Sequence, residues 1–244
     1  MSAVGNIGRI KLMVAVMPGN IGKPAAESIV RSASSLALDE KNIKKIKREN
    51  AHLVIFSPPV LADRMARMAE GSDFVSIGTY NILPTNTLFG QMDPLDTVIS
   101  SGCRYFLVGD CALEKADSRS VLNATERIIS AGLSVIYMWS NLFRGNQNRD
   151  LPRDWHRQVI LVCDQGSRLD WINPLNQEDH PDTPFVYYDA PDMVRNNRAM
   201  QINCSNIRQL MLHDRLSGVM FKLPEEDATT FLESMIRTGY ELGQ

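Results

Sequence analysis

Three aspartates and a lysine stand where apolar runs of this chain end. Asp110 follows Tyr105–Val108 and Gly109, with Cys111 beside it. Asp164 follows Val159–Cys163, Asp189 follows Phe185–Tyr188, and Lys222 follows Gly218–Phe221. In parallel α/β folds the chemistry gathers at the carboxyl ends of strands. Asp164 or Asp189 could serve there as a general base. The three aspartates together could hold a hard cation through oxygen ligands. Asp110 and Cys111 could form a carboxylate–thiolate pair, but a neighbouring carboxylate raises a thiol's pKa and opposes that role. Lys222 could anchor an anion. Each has a plainer alternative. Asp110 can bond local backbone amides, the aspartates can form a solvated rim, and a lone lysine without amide support binds anions weakly. His156 and His213 sit in helical surface contexts. His52 opens a strand at its amino end, away from the expected chemistry. Trp139 can either line a pocket or plug a core. The glycine-bearing turns form no dinucleotide fingerprint and no Walker loop, so no cofactor is expected and no metal is assigned.

The elements that must position these residues alternate regularly. Ile10–Val16 is an apolar run stopped by Met17-Pro18-Gly19, and Pro24 opens a helix that runs to Leu38. Leu53–Phe56 is a second strand, closed by Pro58-Pro59, and Val60–Met68 has helical spacing. Phe74–Ile77 and Tyr105–Val108 are the third and fourth strands. Ser118–Ala131 is a helix ended by Gly132, followed by the strand Ser134–Trp139. Val159–Cys163, Phe185–Tyr188 and Gly218–Phe221 complete the set, and Glu225–Tyr240 is a closing helix. Ala199–Ile202 is a further strand candidate, assigned to a loop or helix. Nearly continuous apolar strands between amphipathic helices mean a parallel sheet covered on its outer face. This count and length predict an α/β fold: one (β/α)₈ barrel spanning residues 1–244 as a single domain.

Composition narrows the class. The 244 residues are 44% hydrophobic and 22% charged, which is ordinary globular composition. A net charge of −2 argues against a nucleic-acid binder. The basic run Lys41–Arg48 reads as a solvated helix face. Cys103, Cys111, Cys163 and Cys204 are widely spaced, with no CxxC, which fits reduced thiols in the cytoplasm. No apolar run is long enough for a membrane span, and the amino terminus lacks a signal-peptide core.

Several stretches carry a resemblance. They are LVIFSPP (Leu53–Pro59), SIGTYNILP with FGQMDP (Ser76–Pro84 and Phe89–Pro94), and YFLVGDCALEK with GLSVIYM (Tyr105–Lys115 and Gly132–Met138). DWHRQVILVCD (Asp154–Asp164) and NIRQLMLHDRLSGVMF (Asn206–Phe221) follow. In order and spacing they resemble the triosephosphate isomerase family. The resemblance implies a proton shuttle on a triose phosphate: a carboxylate base after strand six, a neutral histidine after strand four and a lysine after strand one. A glycine pair after strand eight would bind the phosphate through backbone amides.

The sequence departs from that pattern at nearly every position. Val14 and Val16 stand where the resemblance puts an asparagine and the lysine. Asp110 replaces the histidine, and an ionised carboxylate cannot donate to a carbonyl. The base position falls on Asp164, or on Asp189 if Phe185–Tyr188 is strand six. Lys222 and Leu223 replace the phosphate-binding glycines. A general acid–base group is typically worth about 10²–10⁴ in rate and a preorganised donor about 10²–10³, so joint loss leaves little isomerase activity.

The resemblance also implies a homodimer. The family's third loop inserts into a neighbouring subunit; here it spans Tyr80, Asn81, Phe89, Gly90 and Gln91. Phe89 replaces a threonine at the loop tip and Gln91 a glutamate. The partner's facing groups would be Val14 and Val16, so an apolar tip would meet an apolar floor. Three functions follow. The first is a non-catalytic, structural, regulatory or partner-binding dimer, with an as yet unnamed protein partner. The second is an enzyme of altered substrate, an isomerase or lyase on a small carbonyl or sugar phosphate, using Asp164 or Asp189. The third is residual isomerase activity.

Overall fold

The structure, a computed structural model, describes residues 11–38, 51–80, 96, 99–108, 118–138, 159–163, 185–189, 216–233 and 236. Within them, strands β1 (Lys11–Val16), β2 (Ala51–Ser57), β3 (Val75–Tyr80) and β4 (Tyr105–Val108) come first. Strands β5 (Ser134–Met138), β6 (Val159–Cys163), β7 (Phe185–Asp189) and β8 (Leu216–Lys222) follow. Helices α1 (Lys23–Leu38), α2 (Pro59–Met68) and α3 (Ser118–Ser130) lie between β1 and β2, β2 and β3, and β4 and β5. Each strand pairs in parallel with the next, and β8 returns to pair with β1, a barrel in strand order β1 to β8. The predicted strands are all present; β2, β3, β7 and β8 extend past their predicted bounds, β4 and β6 match them, and β1 and β5 are a residue shorter. Ala199–Ile202 lies outside the described residues.

Two apolar layers explain why the strands read as continuous hydrophobic runs. Side chains alternate faces along a strand. Leu12, Val14 and Val16 of β1, with Val54 and Phe56 of β2, face inward and join Tyr80, Leu107, Ile136, Ile160 and Met220 in the barrel interior. The alternate residues, Ala15, Leu53, Ile55, Val75, Ile77, Phe106 and Val135, face outward against the helices. Burial on both faces removes the polar alternation of a half-exposed strand.

Local signals set the helix limits. Pro59 at the start of α2 follows Pro58, whose ψ of 145° keeps it out of the helix. Ala62 and Met65 form its buried side. The turns before β3, β4 and β5 each contain a left-handed glycine: Gly71 at φ 83°, Gly102 at 83° and Gly132 at 76°. A Cβ is disfavoured there, so glycine lets the chain leave a helical turn and enter the next strand. Glu27 of α1 takes a hydrogen bond from Arg64 of α2 and holds its carboxyl below the usual range through that contact.

One inward position is governed by a missing side chain. A Cβ at Gly78 would lie 2.5 Å from the ring of Phe56, which is fully buried. Phe56 therefore fills the space that Gly78 leaves in the neighbouring strand. Gly78→Ala should lower stability by about 1–3 kcal/mol through overpacking. Adding Phe56→Leu should recover part of that loss, because the two residues share one space. Urea unfolding of the two single variants and the double variant measures this; strictly additive losses would contradict it.

Candidate functional site

The carboxyl ends of β8, β1, β2 and β3 form one side of the barrel mouth. Their polar backbone is spent internally. The Leu223 N–H donates to the Val16 carbonyl at 2.8 Å, and the Met17 N–H donates to the Phe56 carbonyl at 2.9 Å. The Tyr80 hydroxyl donates to the Met17 carbonyl at 2.9 Å. The peptide groups at Val16 and Met17 are thus bonded from three sides by three different strands or their continuations.

The side chains around them are apolar. Val14 is fully buried, with Val54 and Met220 as its register partners. Val16 is 6% exposed and lies between Phe56 and Lys222 in register. The position that the resemblance assigns to an anion-holding lysine is therefore a packed valine. Lys222 is exposed at the end of β8, beside it. Leu223 is 3% exposed and packs in the outer apolar layer. Its amide, at a phosphate-binding position by resemblance, faces Val16 instead of an anion.

Tyr80 corrects an expectation. It is not the first residue of an exposed loop but the last of β3, buried at 5% exposure. Its phase with Ser76 and Gly78 turns it inward, and its hydroxyl finds an acceptor across the barrel at Met17. Asn81, Phe89, Gly90 and Gln91 lie outside the described residues, as do Asp110, Cys111, Trp139, His156, Asp164 and His213.

The strand order removes one alternative. Val159–Cys163 is β6 and Phe185–Asp189 is β7, so Asp189 does not follow the sixth strand. It pairs with Phe221, which packs in the outer layer. The position after the sixth strand, which the resemblance assigns to a base, falls on Asp164, outside the described residues. Among the described residues, no group of three His, Cys, Asp or Glu side chains comes together to hold a metal. Cys103 is a buried free thiol whose pKa is pushed up by burial, which makes it inert. A groove of about 580 Å³ runs along α1, lined by Glu27, Ser28, Arg31 and Glu233, on the outside of the barrel.

A polar cluster missed by sequence reasoning lies at the opposite end. His52 Nε2 is 2.9 Å from Ser76 Oγ, and the imidazole is 6.2 Å from the ring of Tyr105. Burial pushes the His52 pKa down to about 4; the Asp73 backbone opposes this and the Arg104 charge adds to it. The signal was present in the alternation. His52 is in phase with Val54 and Phe56, and Ser76 with Gly78 and Tyr80, so both had to face inward.

Parallel strands in this order, with helices between them, define a TIM-like α/β protein. A search of the solved structures agrees: a triosephosphate isomerase from Bartonella henselae matches with a TM-score of 0.61 and 11% identity. The match covers 93% of this chain and 98% of that one. Identity at that level shows the fold alone. No protein-family model matches the chain, and no curated protein does. Among the described residues, no helix is long and apolar enough to cross a membrane.

The Tyr80 hydrogen bond has a measurable value. Tyr80→Phe keeps the ring and leaves the Met17 carbonyl without its donor. Stability should fall by about 1–3 kcal/mol in urea unfolding. An unchanged midpoint would show that the bond contributes nothing.

Proposed function

We propose that this chain is a divergent triosephosphate isomerase homologue that no longer isomerises triose phosphates and serves as a structural, regulatory or partner-binding homodimer. One observation carries the reading. At the lysine-equivalent position sits Val16, packed against Phe56, with its own carbonyl taken by the amide of Leu223. A triose phosphate needs a cation and free amides at these two places. The described mouth offers packed methyl groups at Val16 and an amide already bonded at Leu223, with Lys222 the one cation beside them among the described residues. The order of the resembling segments supports descent from the family, and the full-length structural match supports a common fold.

The dimer reading rests on the apolar character of both proposed partners, Phe89 at the loop tip and Val16 on the facing floor; Val14, fully buried, backs that floor without offering surface. Tyr80 would then anchor the loop inside its own barrel instead of touching the partner. The widely spaced cysteines, with Cys103 free and buried, support placement in the cytoplasm.

A coupled assay with glyceraldehyde 3-phosphate tests the loss of activity. No turnover above background is expected. A rate within about a hundredfold of a typical enzyme, roughly 10 s⁻¹, would overturn the reading and leave Asp164 as the base to examine. Sedimentation at micromolar concentration tests the assembly: a dimer is expected, and a Phe89→Asp variant should sediment as a monomer. A monomeric wild-type chain would remove the dimer.

A further inference from the structure

The floor of the barrel, at the amino ends of the strands, contains an ionisable group that the proposed function does not use. His52 is the second residue of β2 and points inward below Val54 and Phe56. Its register partner on β1 is Leu12, which is 3% exposed. On the other side it meets Ser76 of β3, itself 3% exposed, and beyond that Tyr105 of β4. The Asp73 backbone, in the turn between α2 and β3, also bonds the imidazole.

We propose that this floor is a proton-sensitive latch, in which neutral His52 accepts from Ser76 and so ties β2 to β3, and protonated His52 loosens that tie.

The geometry shows why charge matters. A neutral ring has one donor and one acceptor nitrogen. It can donate to the Asp73 carbonyl and accept from the Ser76 hydroxyl, so both contacts are satisfied. Protonation makes both nitrogens donors. Ser76 must then turn its hydroxyl to accept, and its own proton loses its partner. The new cation lies among Leu12, Val54 and the Tyr105 ring, in surroundings that solvate a charge poorly.

The charged and titratable groups around it do not repair this. Arg104, next to Tyr105, is a cation whose field disfavours a second one. Tyr105 stays neutral, its phenol pKa raised by burial. Asp73 helps only through its backbone bond. Leu12 of β1 and Gly218 of β8 bring no charge. His52 is nevertheless partly exposed, so solvent protons reach it.

The junction it holds is local. The turn before β3 is built by Ser72, whose hydroxyl accepts from the amides of Phe74 and Val75 at 3.3 and 3.0 Å. The Leu53 amide, one residue after His52, donates to the Phe74 carbonyl at 2.8 Å. His52 is thus the side-chain link between this turn and the barrel interior.

The direction with pH follows from linkage. An unfolded histidine takes up its proton near pH 6.5, whereas the folded one resists until about pH 4. Between these values the unfolded or opened state binds more protons, so stability present above pH 6.5 is lost as pH falls toward 4.

Two readouts test the latch. Proton NMR should show His52 titrating below pH 5, with the amide signals of Asp73–Ile77 shifting along the same curve. Thermal unfolding at pH 7.5 and 4.5 should show the wild-type midpoint falling about 5–10 °C further than that of His52→Gln, which cannot charge. Titration at pH 6–7, or amides of the β3 entry that do not follow it, would overturn the proposal. So would equal losses in the two proteins. If His52→Gln does not fold, the NMR titration of the wild-type chain decides alone.

Discussion

The peptide groups at Val16 and Met17 are the constraint on which the mouth of this barrel depends. Their carbonyls and one amide are bonded by Leu223, Tyr80 and Phe56, so β8, β2 and β3 all converge on the exit of β1. Buried backbone groups must be paired, and here the pairing uses up donors that a ligand would need. The same bonds hold Val16 down in the apolar interior, where it packs on Phe56. Phe56 in turn needs the space above Gly78. Closure at one strand end thus propagates through three strands as ordinary packing.

That arrangement explains how a fold and a catalytic site can part. Barrel stability comes from the two apolar layers and the parallel ladder, none of which requires a lysine, a histidine or a glycine pair at the mouth. Active sites usually hold strained or poorly solvated polar groups at a cost in stability. Under the proposed reading, valine and leucine stand in such places and the nearby amides bond neighbouring carbonyls, which would relieve that cost. The chain matches a triosephosphate isomerase over nearly its full length at 11% identity, which shows the shared fold alone.

Much of the skeleton was legible in the sequence. The apolar runs gave the strands, and Gly132 marks the end of α3 to within a residue; Pro58-Pro59, read as closing β2, also opens α2. The errors came from side-chain phase. With the third strand read as Phe74–Ile77, Tyr80 falls at the start of the loop that follows it. In fact Gly78 is small because Phe56 occupies its space, and Tyr80 continues the inward face. His52 sits at the amino end of a strand, away from the expected chemistry, although its phase points it at Ser76. Backbone bonds such as Leu223 to Val16 have no sequence signature, since any residue with an N–H could make them. Asp110, Asp164 and the tip of the third loop lie outside the described residues, so their roles rest on resemblance and order alone.

The central claim is that the β1 and β8 strand ends offer a sugar phosphate no free amide pair, and no cation other than the exposed Lys222. Calorimetric titration of the chain with triose phosphate, alongside inorganic phosphate, tests it most directly. No saturable heat up to millimolar ligand is the predicted result. Binding with a micromolar Kd, abolished by a substitution at Lys222 or by Leu223→Pro, would contradict the account.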